Sequence, residues 1–198
     1  MNTFQALVFL STLGSVFRSV GGNGTCKPNE EELVESCLQP MISYASNLQS
    51  NGLLPLEGAQ IFQKLCQLYD QFSRCTLQVG CRSVSMNAME ASYGYMCGEG
   101  YSKFAEHVDC FAKVESEEPY VTCKTDATSG VNKLQFNQEQ PTVYFSGLCS
   151  LMKSYLACSK PVILNKCGNV AWDLVTRVTK DSLKATMPNC QLEEVLHP

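Results

Sequence analysis

Apolar residues recur along this chain at helical intervals, and strand-like alternation is confined to a short stretch around Tyr120 to Cys123. From Asn29 onward, Leu33, Cys37, Met41 and Tyr44 follow one another every three or four positions. Asn29 is a good N-cap, and Glu30, Glu31 and Glu32 suit the positive end of a helix dipole, so a helix is predicted to begin there as a solvated start. Pro40 falls inside it, and Ser50-Asn51-Gly52 ends it. A second helix is predicted from Leu56 to Ser73, with Ile61, Leu65, Leu68 and Phe72 as its stripe. A third runs from a Ser85 cap to Tyr95 with Met86, Met89 and Tyr93, and a fourth from Tyr101 to Val114 with Phe104, Val108, Phe111 and Ala112.

Between these and the last third, Thr122 to Gln140 shows no stripe, and a polar loop near 122–140 is expected, long enough to be of the functional kind. Periodicity returns at Leu148, Leu151, Met152 and Tyr155. A long final helix is predicted from Lys160 to Lys180, its stripe of Ile163, Cys167, Val170, Leu174 and Val178 crossing a break at Gly168. The expected fold class is all-α, an irregular helical bundle of about five to seven helices.

The first 21 residues stand apart. Phe4 to Phe17 is apolar except for Gln5, Ser and Thr, and Arg18, Ser19, Gly21 and Gly22 follow, the layout of a secretory signal with a small-residue cleavage site. The run is too short to span a hydrocarbon core of roughly 30 Å as a helix. The expected division is a signal peptide over 1–21, removed on secretion, and a single cysteine-rich domain over 22–198. No later stretch has the continuous apolar length of a membrane span, and the C-terminus lacks a lipid-anchor tail, so an extracellular protein without a transmembrane segment is expected.

Composition sharpens this picture at three points. The 198 residues carry 15 Lys+Arg and 19 Asp+Glu, a net charge of −4, so no positive field is available for nucleic acid or a polybasic membrane contact. Only two histidines occur, His107 and His197, and no Gly-x-Ser-x-Gly elbow, His-Glu-x-x-His or phosphate loop is found. No enzyme, cofactor or metal site is therefore expected. Twelve cysteines, an even number, in a secreted chain without any Cys-x-x-Cys point to six disulfides instead of zinc or redox chemistry. They are Cys26, Cys37, Cys66, Cys75, Cys81, Cys97, Cys110, Cys123, Cys149, Cys158, Cys167 and Cys190.

Their spacing constrains the pairing without fixing it. Cys66 and Cys75, like Cys149 and Cys158, have eight residues between them. On a helix, nine steps place two sulfurs on opposite sides and roughly 13 Å apart along the axis, whereas a disulfide spans Cα separations only to about 7 Å. Neither pair can close on itself, so each helix must be tied to two different neighbours. The same holds for Cys26 and Cys37 unless Cys26 precedes the helix and folds back. Both segments also read Leu-Cys-x-Leu, which points to a helical hairpin used twice.

Two modification sites are candidates. Asn23-Gly24-Thr25 is the only N-glycosylation sequon, beside Cys26. Ser129-Gly130 is a weak glycosaminoglycan candidate, with only Asp126 as a nearby acid, and Ser146-Gly147 opens an expected helix.

The cysteine run from Cys66 through Cys123, then Leu148-Cys149 to Cys158, and above all Lys166-Cys167-Gly168-Asn169-Val170-Ala171-Trp172, resembles the cysteine-rich secreted domains of nematodes, of the chondroitin proteoglycan 4 type. The resemblance covers roughly residues 26 to 190. It implies secretion, a disulfide-linked helical body and, in some members, chondroitin chains on serine of Ser-Gly within an extracellular coat. The expected function is a secreted, non-catalytic domain acting through protein or glycan contacts in extracellular matrix. The alternative is a helical carrier or receptor-like module for a small apolar ligand, with Met86, Met89, Tyr93, Tyr95 and Met96 lining a cavity.

Overall fold

A computed structural model of the chain describes residues 26–50, 58–136 and 139–196. The expected signal peptide, the Asn23 sequon, Leu56 and His197 lie outside them. Among the described residues there are seven helices and no strand. In chain order they are α1 (Pro28–Ser50), α2 (Gly58–Thr76), α3, α4 (Tyr101–Val114), α5 (Glu118–Lys133), α6 (Pro141–Thr186) and α7 (Glu193–Leu196), where α3 is built from Val84–Met89, a π-helical turn Glu90–Gly94 and Tyr95–Cys97.

The acidic start of α1 does local work. The backbone N–H of Lys27 donates to a Glu30 carboxylate oxygen at 2.8 Å, one half of a capping box, so Glu30 and not Asn29 closes the first turn. Pro40 stays inside the helix. At α3 the cap is Ser83 instead of Ser85, its hydroxyl accepting from the Met86 N–H at 3.0 Å. The π turn in α3 is buttressed from within. Ser92 is fully buried, donates to the Ala88 carbonyl at 2.7 Å, and its Oγ lies 3.0 Å from the Ser182 hydroxyl of α6.

The expected polar loop near 122–140 is for the most part helix α5, and the strand-like stretch at Tyr120 to Cys123 is its second turn. Its buried face is Tyr120, Cys123 and Ala127, one aromatic and two small residues, a stripe too narrow to register as hydrophobic. The polar residues are accommodated by the helix itself. Thr122 and Thr125 hydroxyls donate back to the carbonyls of Glu118 and Val121 at 3.0 and 2.9 Å. What stabilises α5 is its partner. Cys123 meets Cys158, Gly130 meets Leu151 and Leu134 meets Gly147, so contacts step down α5 as they step up α6 and the two run antiparallel in one register.

The two predicted final segments merge into α6, which retains Pro161 and turns at Gly168, where φ is 77° and ψ −177°. That region of backbone space is essentially reserved for glycine. The turn divides α6 into arms 141–167 and 169–186 and shifts the helical phase. The stripe drawn through Val170 fails for this reason: Val170 is 51 % exposed, while Ala171 and Trp172 take the core positions. In α1, likewise, Val34 is fully buried and Leu33 faces outward.

The core is continuous. Phe62, Phe104, Tyr155, Ile163 and Trp172 belong to one buried cluster. Helix α5 lies along the first arm of α6, α4 packs between α2 and α6, α1 covers α2, and α3 rests on the second arm of α6. Helix α7 closes against the first arm through Lys160, whose Nζ donates to the Val195 carbonyl at 3.3 Å, and a Lys153–Glu194 ion pair at 2.5 Å.

A Cβ on residue 168 would meet nothing within 4 Å, so the cost of Gly168→Ala comes from backbone strain alone. Thermal or chemical unfolding should show a loss of about 1–3 kcal/mol for this variant. Gly80→Ala, which also faces open space but lacks a positive φ, should be neutral within about 0.5 kcal/mol.

Candidate functional site

The sulfur chemistry is closed. The bridges are Cys26–Cys81, Cys37–Cys75, Cys66–Cys97, Cys110–Cys167, Cys123–Cys158 and Cys149–Cys190, and no cysteine is free. Cα separations run from 5.1 Å at Cys26–Cys81 to 5.8 Å at Cys110–Cys167, within the normal reach of the bond. The two eight-residue spacings behave as helix geometry requires. Helix α2 is tied to α1 through Cys75 and to α3 through Cys66. The first arm of α6 is tied to α5 through Cys158 and to the turn beyond its own second arm through Cys149.

The Lys166–Trp172 motif is now legible residue by residue. Lys166 pairs with Glu117 at 2.8 Å, tying α6 to the entrance of α5. Cys167 bridges to α4, Gly168 supplies the positive φ, and Ala171 and Trp172 are buried where the chain re-enters the core. Lys160 Nζ sits 5.5 Å from the Trp172 ring centroid, a cation–π contact. The motif is thus a corner that turns α6 while holding it to its neighbours, and each of its residue types has a mechanical reason.

The most concentrated polar chemistry in the interior lies where α5 meets α6. Tyr120 and Tyr155 hydroxyls are 2.7 Å apart and buried. Beside them Lys124 Nζ pairs with Glu115 Oε2 at 3.0 Å and lies 5.9 Å from the Tyr120 ring centroid. Burial, and then the Glu115 charge, hold the Tyr155 phenol above its ordinary value, so it is neutral, while burial lowers the Lys124 ammonium. A hydrogen-bonded phenol pair next to a closed ion pair satisfies its own polar atoms and pins two helices. A second phenol, Tyr69, donates to Glu90 Oε2 at 2.5 Å on the π turn and is pushed up to about 12 by burial and then by Glu90.

The other residues singled out by the sequence are placed as follows. The Nδ1 of His107 lies 2.8 Å from the Lys103 carbonyl of its own helix. No group of three or more His, Cys, Asp or Glu residues is arranged to hold a metal ion among the described residues. Met89, Tyr93 and Met96 belong to the buried cluster, Met86 and Tyr95 pack against it, and Tyr95 carries Arg177 over its ring at 4.9 Å. Ser129 is exposed, but on the regular helix α5 instead of a loop, and Gly130 has a packing role of its own: a Cβ there would lie 2.3 Å from Leu151 Cδ2. At Gly147 a Cβ would lie 2.8 Å from Leu134 Cδ2. Both glycines are therefore required by the close approach of α5 to α6.

The sequence reading missed the Tyr120–Tyr155 pair, the Lys124–Glu115 ion pair and the π turn. The one available signal was that both tyrosines precede a cysteine by three residues, one helical turn from Cys123 and Cys158.

Fold and bridges together define a class, an all-helical domain laced by disulfides, in which no helix among the described residues is long and apolar enough to cross a membrane. The chain belongs to the family described as "Domain of unknown function (DUF19)", whose profile matches residues 26–191, from the first cysteine to just past the last. It is 32 % identical over 145 residues to a nematode protein, the uncharacterized protein ZK370.6 of Caenorhabditis elegans. That match covers 71 % of this chain and 64 % of the relative, so the chain spans less than two thirds of the relative's own length. No solved structure matches.

Gly130→Ala should destabilise the fold by about 1–3 kcal/mol through overpacking against Leu151, and Leu151→Ala in the same chain should make the added methyl less costly. Ser129→Ala should change neither the unfolding midpoint nor the chondroitinase-sensitive mass of secreted material, read by denaturation and intact-mass measurement.

Proposed function

We propose that the chain is a secreted, non-catalytic domain that works in the extracellular space by presenting a rigid helical surface to protein or glycan partners. The observation that supports this reading best is the commitment of all twelve cysteines to bridges. Such bridges persist in oxidising surroundings and are reduced in the cytosol. A chain of this size can bury a working core without them, so bonds contributing about 2–4 kcal/mol each serve durability in a harsh exterior.

Exposed apolar side chains on this scaffold supply candidate contact points. Leu77, 83 % exposed, stands on the turn between Cys75 and Cys81, both of which are bridged. Val143 and Val170 are 64 % and 51 % exposed. Contact energy at a surface of this kind comes from few anchors, and segments already held by bridges lose little order on binding.

The finer reading is a matrix role like that of chondroitin proteoglycan 4 domain proteins. It rests on the cysteine run and the Lys166–Trp172 motif. In this chain the helical setting of Ser129 favours contact through the protein surface over an attached chain at that position.

Expression from the full reading frame in a secreting eukaryotic cell tests the proposal. The protein is expected in the medium, unreactive toward an alkylating agent until reductant is added, and crosslinkable in native secretions to extracellular proteins or glycans. Retention in the cytosol with alkylatable thiols would overturn it.

A further inference from the structure

We infer that the chain is a tandem duplication of one three-helix, three-disulfide unit, and that the two units, residues 26–97 and 110–190, are joined covalently by nothing except the segment between them. Each unit holds six of the cysteines, and no bridge crosses from one to the other. Within each, in chain order, the first cysteine pairs with the fifth, the second with the fourth and the third with the sixth. Six cysteines allow about fifteen pairings, so even two closed sets would share a pattern by accident only about once in fifteen.

Side chains at equivalent places tell the same story. Three residues before the second cysteine stand Val34 and Tyr120, both at most 1 % exposed. Leu65 and Leu148 precede the third cysteine, Phe72 and Tyr155 follow it by six positions, and all four are buried. Immediately after the fourth cysteine comes a buried hydroxyl that donates to its own helix: Thr76 to the Phe72 carbonyl at 3.0 Å and Ser159 to the Leu156 carbonyl at 3.4 Å. On this correspondence α1 matches α5, α2 matches the first arm of α6, and α3 matches the second arm.

The copies differ where the fourth cysteine leads to the fifth. The first unit makes a turn there, between Cys75 and Cys81, and the second continues as helix to Cys167 before turning at Gly168. Helix α4 supplies the first cysteine of the second unit and packs on both units.

The joint between the units is therefore entirely non-covalent. Ser92 meets Ser182 and Arg177 covers Tyr95 across it, and Phe62 of α2 stacks on Phe104 of the connecting segment with centroids 6.1 Å apart. These contacts can open while every disulfide stays intact, which makes the joint the place where this fold can give.

A protease recognition sequence inserted at the Gly98–Gly100 turn of the full oxidised chain tests the covalent claim. After cleavage and denaturation without reductant, two separate fragments are expected, and a single linked species would overturn the inference. Hydrogen exchange on two double variants, Cys37→Ala with Cys75→Ala and Cys123→Ala with Cys158→Ala, tests autonomy independently. Protection is expected to fall about tenfold or more within the altered unit and to change less than about twofold in the other. Equal losses in both units would overturn it.

Discussion

A disulfide reaches only between backbones that are already in contact, and this limit organises the molecule. With Cα atoms 5.1 to 5.8 Å apart, each bridge fixes where one segment touches another. Helices with cysteines on opposite sides are thereby forced into the middle of the arrangement: α2 between α1 and α3, and the first arm of α6 between α5 and the turn at Cys190. Packing then completes what the bridges begin. Gly130 and Gly147 bring α5 and α6 close enough for the Cys123–Cys158 bond, and the buried Tyr120–Tyr155 hydroxyl pair fixes the same two helices in register.

Much of this was readable from residue types and spacing because the rules involved are local. Helical stripes placed α2 and α4, the eight-residue cysteine spacings ruled out self-closure, and Gly168 marked a break that the backbone makes with a positive φ. The failures share one cause, which is that tertiary contact overrode composition. Helix α5 has a buried face of Tyr120, Cys123 and Ala127, and only the presence of α6 makes it worth burying. A stripe drawn straight through Gly168 points Val170 inward, but the glycine changes the helical phase and leaves it exposed. The π turn at Glu90–Gly94 was not legible locally, since its partners outside α3 are Tyr69, 21 residues from Glu90, and Ser182, 90 residues from Ser92.

The Lys166–Trp172 motif gains a physical meaning from this structure. Lys166 to Trp172 combines an ion pair, a bridge, a positive-φ glycine and two buried residues within seven positions, and each serves the corner in α6. The polar interior is closed as well, with the Lys124–Glu115 ion pair spent on holding elements together.

The central claim is the pairing itself, and a proteolytic disulfide map of the unreduced protein by mass spectrometry tests it most directly. The account predicts linked peptides joining Cys66 to Cys97, Cys75 to Cys37, Cys149 to Cys190 and Cys158 to Cys123, with Cys26 joined to Cys81 and Cys110 to Cys167. Linked peptides joining Cys66 to Cys75 or Cys149 to Cys158, or an abundant free thiol, would contradict it.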